Sequence, residues 1–488
     1  MRPSLGALLR FELKLQLRHP ISWAFVVVVL VWRIGATWQR MPDWSVEIPD
    51  TALAGLVVGA GVMLAANLAT LRDGNSAAVE LCQPLPTRPH SRTLVTLIAC
   101  LIAGTLLGLL VMGAQVASML VGSVPVGQLN PRDLCSGVLV AALMAATGVA
   151  LGRWTPGLIA GPVAILIFFW TSFQFSTSWL LPVVPRMDAV PDPPRPPIWH
   201  PLYATAVIVL VAGIALLRHG VRPLRGGVVA IGVVAALFAG TMSITSPEAD
   251  TLERLSRQPG SLIPVTRGAD HCAALNGVNY CAFPAFAAWI PLWQQAVEPV
   301  AAAVPAEARA VLPAVRQRRP HGTLDGRIQA ENVLTNTTWG RNGGETESRR
   351  WLAAQVAAAA TGLPRTGQHG SSRVCDARGQ ARTVVALWLI GQVEKPVLPH
   401  STRVFVRQQG SAEEVARDVA TSDIGAVDYG QVELSYANRL LAAGDARDRV
   451  RTHWAKIVDP ATGVDDALAL LGLKKEFPVE QPQGAPCE

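Results

Sequence analysis

Apolar residues are gathered into long runs in one half of the chain and scattered in the other. Within the first 242 residues, seven runs carry few charges: 21–38, 51–71, 93–121, 133–152, 155–175, 199–217 and 226–242. Runs of roughly 20 apolar residues are long enough to cross a bilayer as helices, and a helix satisfies its backbone polar groups where no water can. Beyond residue 242 no run reaches that length. The pattern predicts an α-helical membrane region followed by a soluble region at 243–488.

The polar intervals give the membrane region its detail. Residues 4–18, SLGALLRFELKLQLR, have helical periodicity. Arg10, Lys14 and Arg18 form one stripe, and five leucines spread over the other side, interrupted by Glu12 and Gln16. This predicts an amphipathic helix in the headgroup plane, its cations toward anionic lipid. A charged flank of the first run is the plainer alternative, and His19-Pro20 marks a break between the two. The interval 72–92, RDGNSAAVELCQPLPTRPHSR, separates the second and third runs and is expected to form a short docking helix. Inside the runs, Arg33 is expected to snorkel outward rather than face a polar cavity. Asn67 and Gln115 are expected to hydrogen-bond between packed helices. After the fifth run, Trp179-Leu180-Leu181-Pro182 is apolar enough to dip into the interface as a re-entrant segment, and the proline-rich stretch after it is extended.

The soluble region reads as mainly α. Helix-type patterns fall at 285–304, 345–361, 380–392, 412–421, 427–443, 446–457 and 465–471, with Pro or Gly near their ends. The most apolar piece, TVVALWLIG at 383–391, is too short for a span and predicts the core of this region, as a helix or a buried strand. Residues 321–344 read as loop or short strands.

Composition and charge sharpen the division. The 488 residues are 50% hydrophobic and only 16% charged, too apolar for an ordinary soluble chain. Residues 1–242 hold 16 Lys+Arg and 9 Asp+Glu; subtracting from the totals of 42 and 35 leaves 26 and 26 in the remainder. The whole excess of +7 therefore lies in the membrane region, which disfavours nucleic acid as a partner. It fits the positive-inside bias: with the N-terminus inside, inner segments hold 11 Lys+Arg and outer loops hold Arg40, Arg132, Arg186 and Arg195. Seven crossings then put 243–488 outside, and Trp38, Trp44, Trp179 and Trp199 at the outer interface. The first run lacks a small-x-small cleavage site and reads as an uncleaved signal anchor in the plasma membrane.

Candidate chemistry is sparse. The chain has no G-x-x-x-x-G-K-[ST], H-E-x-x-H, G-x-S-x-G or C-x-x-C, so no enzyme, cofactor or metal site is expected. Cys272 and Cys281, near His271, point to a disulfide closing ALNGVNY more than to zinc, since a fourth ligand is not evident. Cys375 and Cys487 are the remaining pair of the soluble region.

LLRFELKLQLRHP, with Glu12, Arg18 and Pro20, resembles the elbow helix of ABC-2-type transporter permeases. AAVELCQPLPTRPHSR, with Glu80-Leu81, Pro84-Leu85-Pro86, Arg88 and Arg92, resembles the loop by which that family docks on its ATPase. The likeness covers about the first 225 residues. It implies a six-helix core at 21–225 after the helix at 1–20, a docking site at Glu80, Leu81, Pro84, Leu85, Pro86 and Arg88, a separate P-loop ATPase, and a second permease in a homodimer or heterodimer. The seventh span at 226–242 and the domain at 243–488 depart from that core. The tail resembles the C-terminal regions of large actinobacterial membrane proteins. A membrane-anchored extracytoplasmic binding or assembly module is the alternative function.

Overall fold

A computed structural model of the chain describes all residues except 1–2, 75–88, 156, 176–177, 185–194, 250–270, 318–331, 336–337, 365–374, 399, 408–413, 422–423, 425–426, 479–481, 483 and 488. The chain divides into two compact units, Met1–Ser261 and Leu262–Glu488.

The first unit is a helical bundle. Its elements are α1 (Pro3–Leu17), α2 (Pro20–Thr37), α3 (Trp44–Gly74), α4 (Pro89–Met119), α5 (Pro131–Trp154), α6 (Ala160–Gln174), α7 (His200–Leu217) and α8 (Pro223–Ile244). Six of them, α2, α3, α4, α5, α7 and α8, are long and apolar enough to cross a membrane. Prolines at the first turns of α2, α5, α7 and α8 start those helices where the missing N–H costs nothing.

The expected fifth span is the exception. Its helix, α6, has 15 residues, about 22 Å of rise against a hydrocarbon core of about 30 Å. Gly157 and its neighbours break the run, and the helix begins only at Ala160. α6 lies antiparallel to α3, with Gly161 beside Leu64 and Asn67, and Phe169 packed near Ile48, Ala52 and Leu56. Val183, beyond α6, joins the same cluster as Ile48 and Ala52. The chain thus reaches the Trp44 end of α3 through α6 and the turns after it.

Glycines set the packing. A Cβ on Gly55 would lie 3.0 Å from the Gly137 carbonyl, and one on Gly148 would lie 2.4 Å from that of Met63. On the other side of α5, a Cβ on Gly104 would come within 2.8 Å of the Ala141 carbonyl. α5 is therefore held between α3 and α4 at backbone distance, the small-residue packing that serves where lipid supplies no hydrophobic drive. Outward faces remain apolar: Val28, Val31 and Trp32 on α2 and Leu166, Ile167 and Trp170 on α6 are all more than half exposed. The helices alternate in direction. One end of the bundle holds Trp44, Asp133 and His200; the other holds Arg72, Thr93 and His219.

The second unit carries a sheet that apolar periodicity did not reveal. β1 (His271–Leu275) and β2 (Val278–Ala282) form a hairpin, and β3 (Ala314–Gln317) and β4 (Asn332–Thr335) add in parallel, giving the order β1-β2-β3-β4. The turn is Asn276-Gly277, both at positive φ, the pair a tight hairpin of matching twist requires. The helix Ile290–Ala303 buries Trp293, Ala296, Val297, Val300 and Ala301, and Glu345–Thr361 forms with the expected bounds, ended by Gly362 at φ 69°. Ala381–Ile390 is buried at every residue and is a helix, not a strand. The expected helix at 412–421 is instead the strand Glu414–Thr421, antiparallel to His400–Arg407. The mainly α expectation thus gives way to an α/β unit.

Candidate functional site

The interval 72–92 is flanked by elements that α1 holds together. α1 packs against α4, the helix that begins at Pro89. Arg72, in the last turn of α3, donates to both Glu12 carboxylate oxygens, at 2.8 and 3.1 Å. Arg10, Lys14 and Arg18 are exposed, as the stripe predicts. Leu5, Leu8, Leu9 and Leu13 are partly buried, so the leucine side, with Glu12 and Gln16 in it, is the one turned to the protein. Glu12 and Gln16 are buried, at 5% and 4% exposure, while Phe11 and Leu15 are exposed. The polar residues that interrupt the leucines are thus the most buried on that side, and Arg72 gives Glu12 a guanidinium partner that lipid does not. Glu80, Leu81, Pro84, Leu85, Pro86 and Arg88 lie outside the described residues.

The opposite end of the bundle holds a buried charged group. Arg33 on α2 lies 2.6 Å from Glu47 and 3.6 Å from Asp50, both on α3. It is 6% exposed, so it does not snorkel. Two carboxylates on the facing helix offer a stronger partner than the interface does, and burial without one would be costly. Between these helices, Asp43 accepts from the Ser45 N–H at 2.8 Å. Its loop is pinned to the segment after α4, with Trp44 N–H on the Val126 carbonyl at 2.8 Å and Gln128 N–H on the Ser45 hydroxyl at 3.1 Å. Burial pushes the Asp43 carboxyl up to about 7; the Ser45 N–H opposes this and the Glu47 charge adds to it.

At the same end, His200 is buried between Ser136 and the turn after α6. Its Nε2 lies 2.8 Å from the Leu181 carbonyl and its Nδ1 lies 3.4 Å from the Ser136 hydroxyl. Trp179 meets the imidazole edge to face at 5.7 Å. Trp179, Leu181 and Val184 form a small buried cluster. The segment expected to dip toward lipid thus packs on the bundle, and Trp179 is not an exposed interface ring. Gln115, fully buried, finds no hydrogen-bond partner for its amide, and neither does Asn67 Oδ1. The expected interhelical hydrogen bonds from these two atoms sets are therefore not made among the described residues.

In the second unit both expected cysteine pairs stand at disulfide distance. Cys272 and Cys281 face each other across β1 and β2, with Cα atoms 4.1 Å apart, and Cys375 and Cys487 are 5.0 Å apart. Sulfurs bonded to each other are lost as zinc ligands. The second bridge anchors the C-terminal segment, where Arg382 and Gln380 both donate to the Cys487 carbonyl, at 2.7 and 2.8 Å. A cleft of about 320 Å³ opens between the β1–β2 hairpin and Ile290–Ala303, with Tyr280, Glu298 and Arg309 in its lining. Glu298 already accepts from Asn276 and Gln294, and Arg309 donates to the Ala301 carbonyl at 2.7 Å.

Sequence reasoning missed Glu47 and Asp50 as partners of Arg33. The available signal was two acids in the turn of residues next to an in-span arginine. It also missed the Asn276-Gly277 hairpin, whose signal is the dipeptide itself. No protein-family model, no curated protein and no solved structure matches the chain at a significant level.

Proposed function

We propose that the chain is the membrane-spanning permease subunit of an ABC-type transporter, working with a separate P-loop ATPase that docks on 72–92. The observation that carries this reading is the Glu12–Arg72 ion pair. With α1 packed on α4, it gives a surface helix a grip on both sides of the interval, so a push there is transmitted to α3 and α4 together. The chain has no nucleotide-binding loop of its own, so the energy comes from another chain. Docking of the nucleotide-bound ATPase favours one arrangement of the bundle over another, and the shift is limited by the difference in docking affinity. A second permease completes the pathway. In this reading α6 and its following turns complete the fifth crossing; with the N-terminus in the cytoplasm, as the excess of Lys+Arg in the inner segments favours, the disulfide-bearing unit lies outside the plasma membrane.

The test is recovery of a P-loop ATPase with tagged full-length protein after crosslinking through cysteines at Glu80 and Leu85. Crosslinks to an ATPase support the reading. Quantitative recovery of the protein with no ATPase adduct at either position rejects it.

The second reading is a membrane-anchored extracytoplasmic binding or assembly module, favoured by the two disulfides and the 320 Å³ cleft of the second unit. It predicts that charge reversal within 72–92 leaves function intact while deletion of 243–488 abolishes it.

A further inference from the structure

The turn from α7 to α8 reads Arg218-His219-Gly220-Val221-Arg222-Pro223-Leu224-Arg225, with three arginines and no carboxylate. Arg225 is buried, and its guanidinium donates to the carbonyls of His219 and Gly220 at 2.7 and 3.0 Å. Those carbonyls orient the cation without neutralising it. Arg218 and Arg222 are exposed, and neither makes an ion pair among the described residues. The turn is fixed in place from α4, where the Thr93 hydroxyl lies 2.7 Å from His219 Nε2. Burial holds the imidazole below its ordinary range, and the positive charges of Arg153, Arg225, His90 and Arg218 push it further the same way. The turn thus sets two exposed arginines, Arg218 and Arg222, beside the buried Arg225. A cluster of this kind, part of it desolvated, is costly until an anion completes it.

The side chains around the cluster select the anion. Val221 is 84% exposed and Leu224 is 81% exposed, alternating with the arginines. Leu158 and Ile159, before α6, are exposed as well, and half-exposed Trp154 donates to the Ile214 carbonyl at 2.9 Å. An indole held this way at a helix end marks the level where headgroups meet acyl chains. A free phosphate would cover the arginines and leave the aliphatic side chains in water. A phospholipid covers both.

We propose that the α7–α8 turn is a binding site for an anionic phospholipid, with the headgroup phosphate on Arg218 and Arg222 in front of Arg225 and the acyl chains over Val221 and Leu224. The site depends on the bundle lying in a bilayer and not on transport.

Full-length protein in a neutral detergent is titrated with phosphatidylglycerol or phosphatidylcholine, and bound lipid is counted by native mass spectrometry. Preferential binding of phosphatidylglycerol is expected. Arg218→Gln/Arg222→Gln should bind it about 30-fold more weakly, the effect of two basic groups at the headgroup level. Arg218→Lys/Arg222→Lys, which keeps the charges, should stay within a few-fold of wild type. Val221→Ser/Leu224→Ser should weaken it while leaving inorganic phosphate binding unchanged. Equal binding of the two lipids overturns the proposal, as does undiminished binding by the glutamine variant. Displacement of the lipid by equimolar inorganic phosphate shows a free-anion site and also overturns it. So does an acidic protein that copurifies on this turn and whose removal exposes no lipid preference.

Discussion

The guanidinium of Arg33 and the carboxylate of Glu47 meet at 2.6 Å with both side chains 8% exposed, joining α2 to α3 inside the apolar bundle. Removing one partner leaves the other buried and uncompensated. Arg33→Met should destabilise the bundle by about 3–5 kcal/mol. Arg33→Met/Glu47→Leu, which removes both charges, should recover most of that loss. Thermal unfolding in nanodiscs measures each variant. A double variant no more stable than Arg33→Met would show that the pair does not act as a unit.

Asp43 gives a pH dependence with a definite sign. Its folded value is about 7 against an ordinary 3.8, so between those values the folded state holds a proton that the unfolded state has released. Stability from this group is full below about pH 3.8 and falls as pH rises toward 7. The Oδ2 atom has no hydrogen-bond partner among the described residues, which leaves room for an amide nitrogen. Asp43→Asn mimics the protonated form. It should flatten the stability profile between pH 4 and 7 while leaving the acid end unchanged, as followed by chemical denaturation across that range.

The same clamp constrains Gly127. It sits at φ 80°, and a Cβ there would fall 2.3 Å from Asp43 Oδ1 and 2.6 Å from the Ser45 hydroxyl. Gly127→Ala adds left-handed strain of about 1–2 kcal/mol to that clash. The loop pairing of Trp44 and Val126 should open. Faster amide exchange at Trp44 and Val126, with exchange in α5 unchanged, is the expected readout.

What the chain discloses about itself follows from how far each signal acts. The long helices were legible because lipid demands about 20 apolar residues in a row; the run at 155–175 has that form too, and there the helix begins only at Ala160 and stays at 15 residues. The cysteine pairs were legible because four cysteines in the second unit leave few pairings. Arg33 was misplaced because periodicity reports where a side chain points along its own helix, and this one is settled by Glu47 and Asp50 on α3. The strands of four or five residues in the sheet are shorter than any window that separates period 2 from 3.6. At 414–421, EVARDVAT has no period-2 alternation and its Glu, Ala and Arg favour a helix, a preference that pairing with 400–407 overrides.

The two disulfides should differ in weight. Cys272–Cys281 closes a sequence separation of 9, and Cys375–Cys487 one of 112. If constraint of the unfolded chain dominates, the long closure is worth about 2 kcal/mol more than the short one. Cys375→Ser/Cys487→Ser should therefore lower the melting temperature of the second unit more than Cys272→Ser/Cys281→Ser does. Equal shifts would place the stabilisation in the local geometry of each bridge instead.

The Glu12–Arg72 pair admits a test by charge exchange. Glu12 is buried and Arg72 half exposed, so the cost of losing the partner falls mainly on the carboxylate. Arg72→Gln should cost about 1–3 kcal/mol, the penalty of a buried charged acceptor stripped of its donor. Glu12→Arg should do worse, because it sets two cations at contact distance where a pair had been. Glu12→Arg/Arg72→Glu restores opposite charges, but it moves the more buried position from anion to cation and should recover only part of the loss. Stability alone would register all of this whether or not the interval 72–92 is a docking site. The distinguishing measurement is ATPase recovery after crosslinking, normalised to folded protein. If α1 relays docking to α3, the single variants should lower that ratio and the exchange should raise it again. A ratio that stays constant while stability varies would leave the ion pair a structural tie and remove α1 from the coupling path.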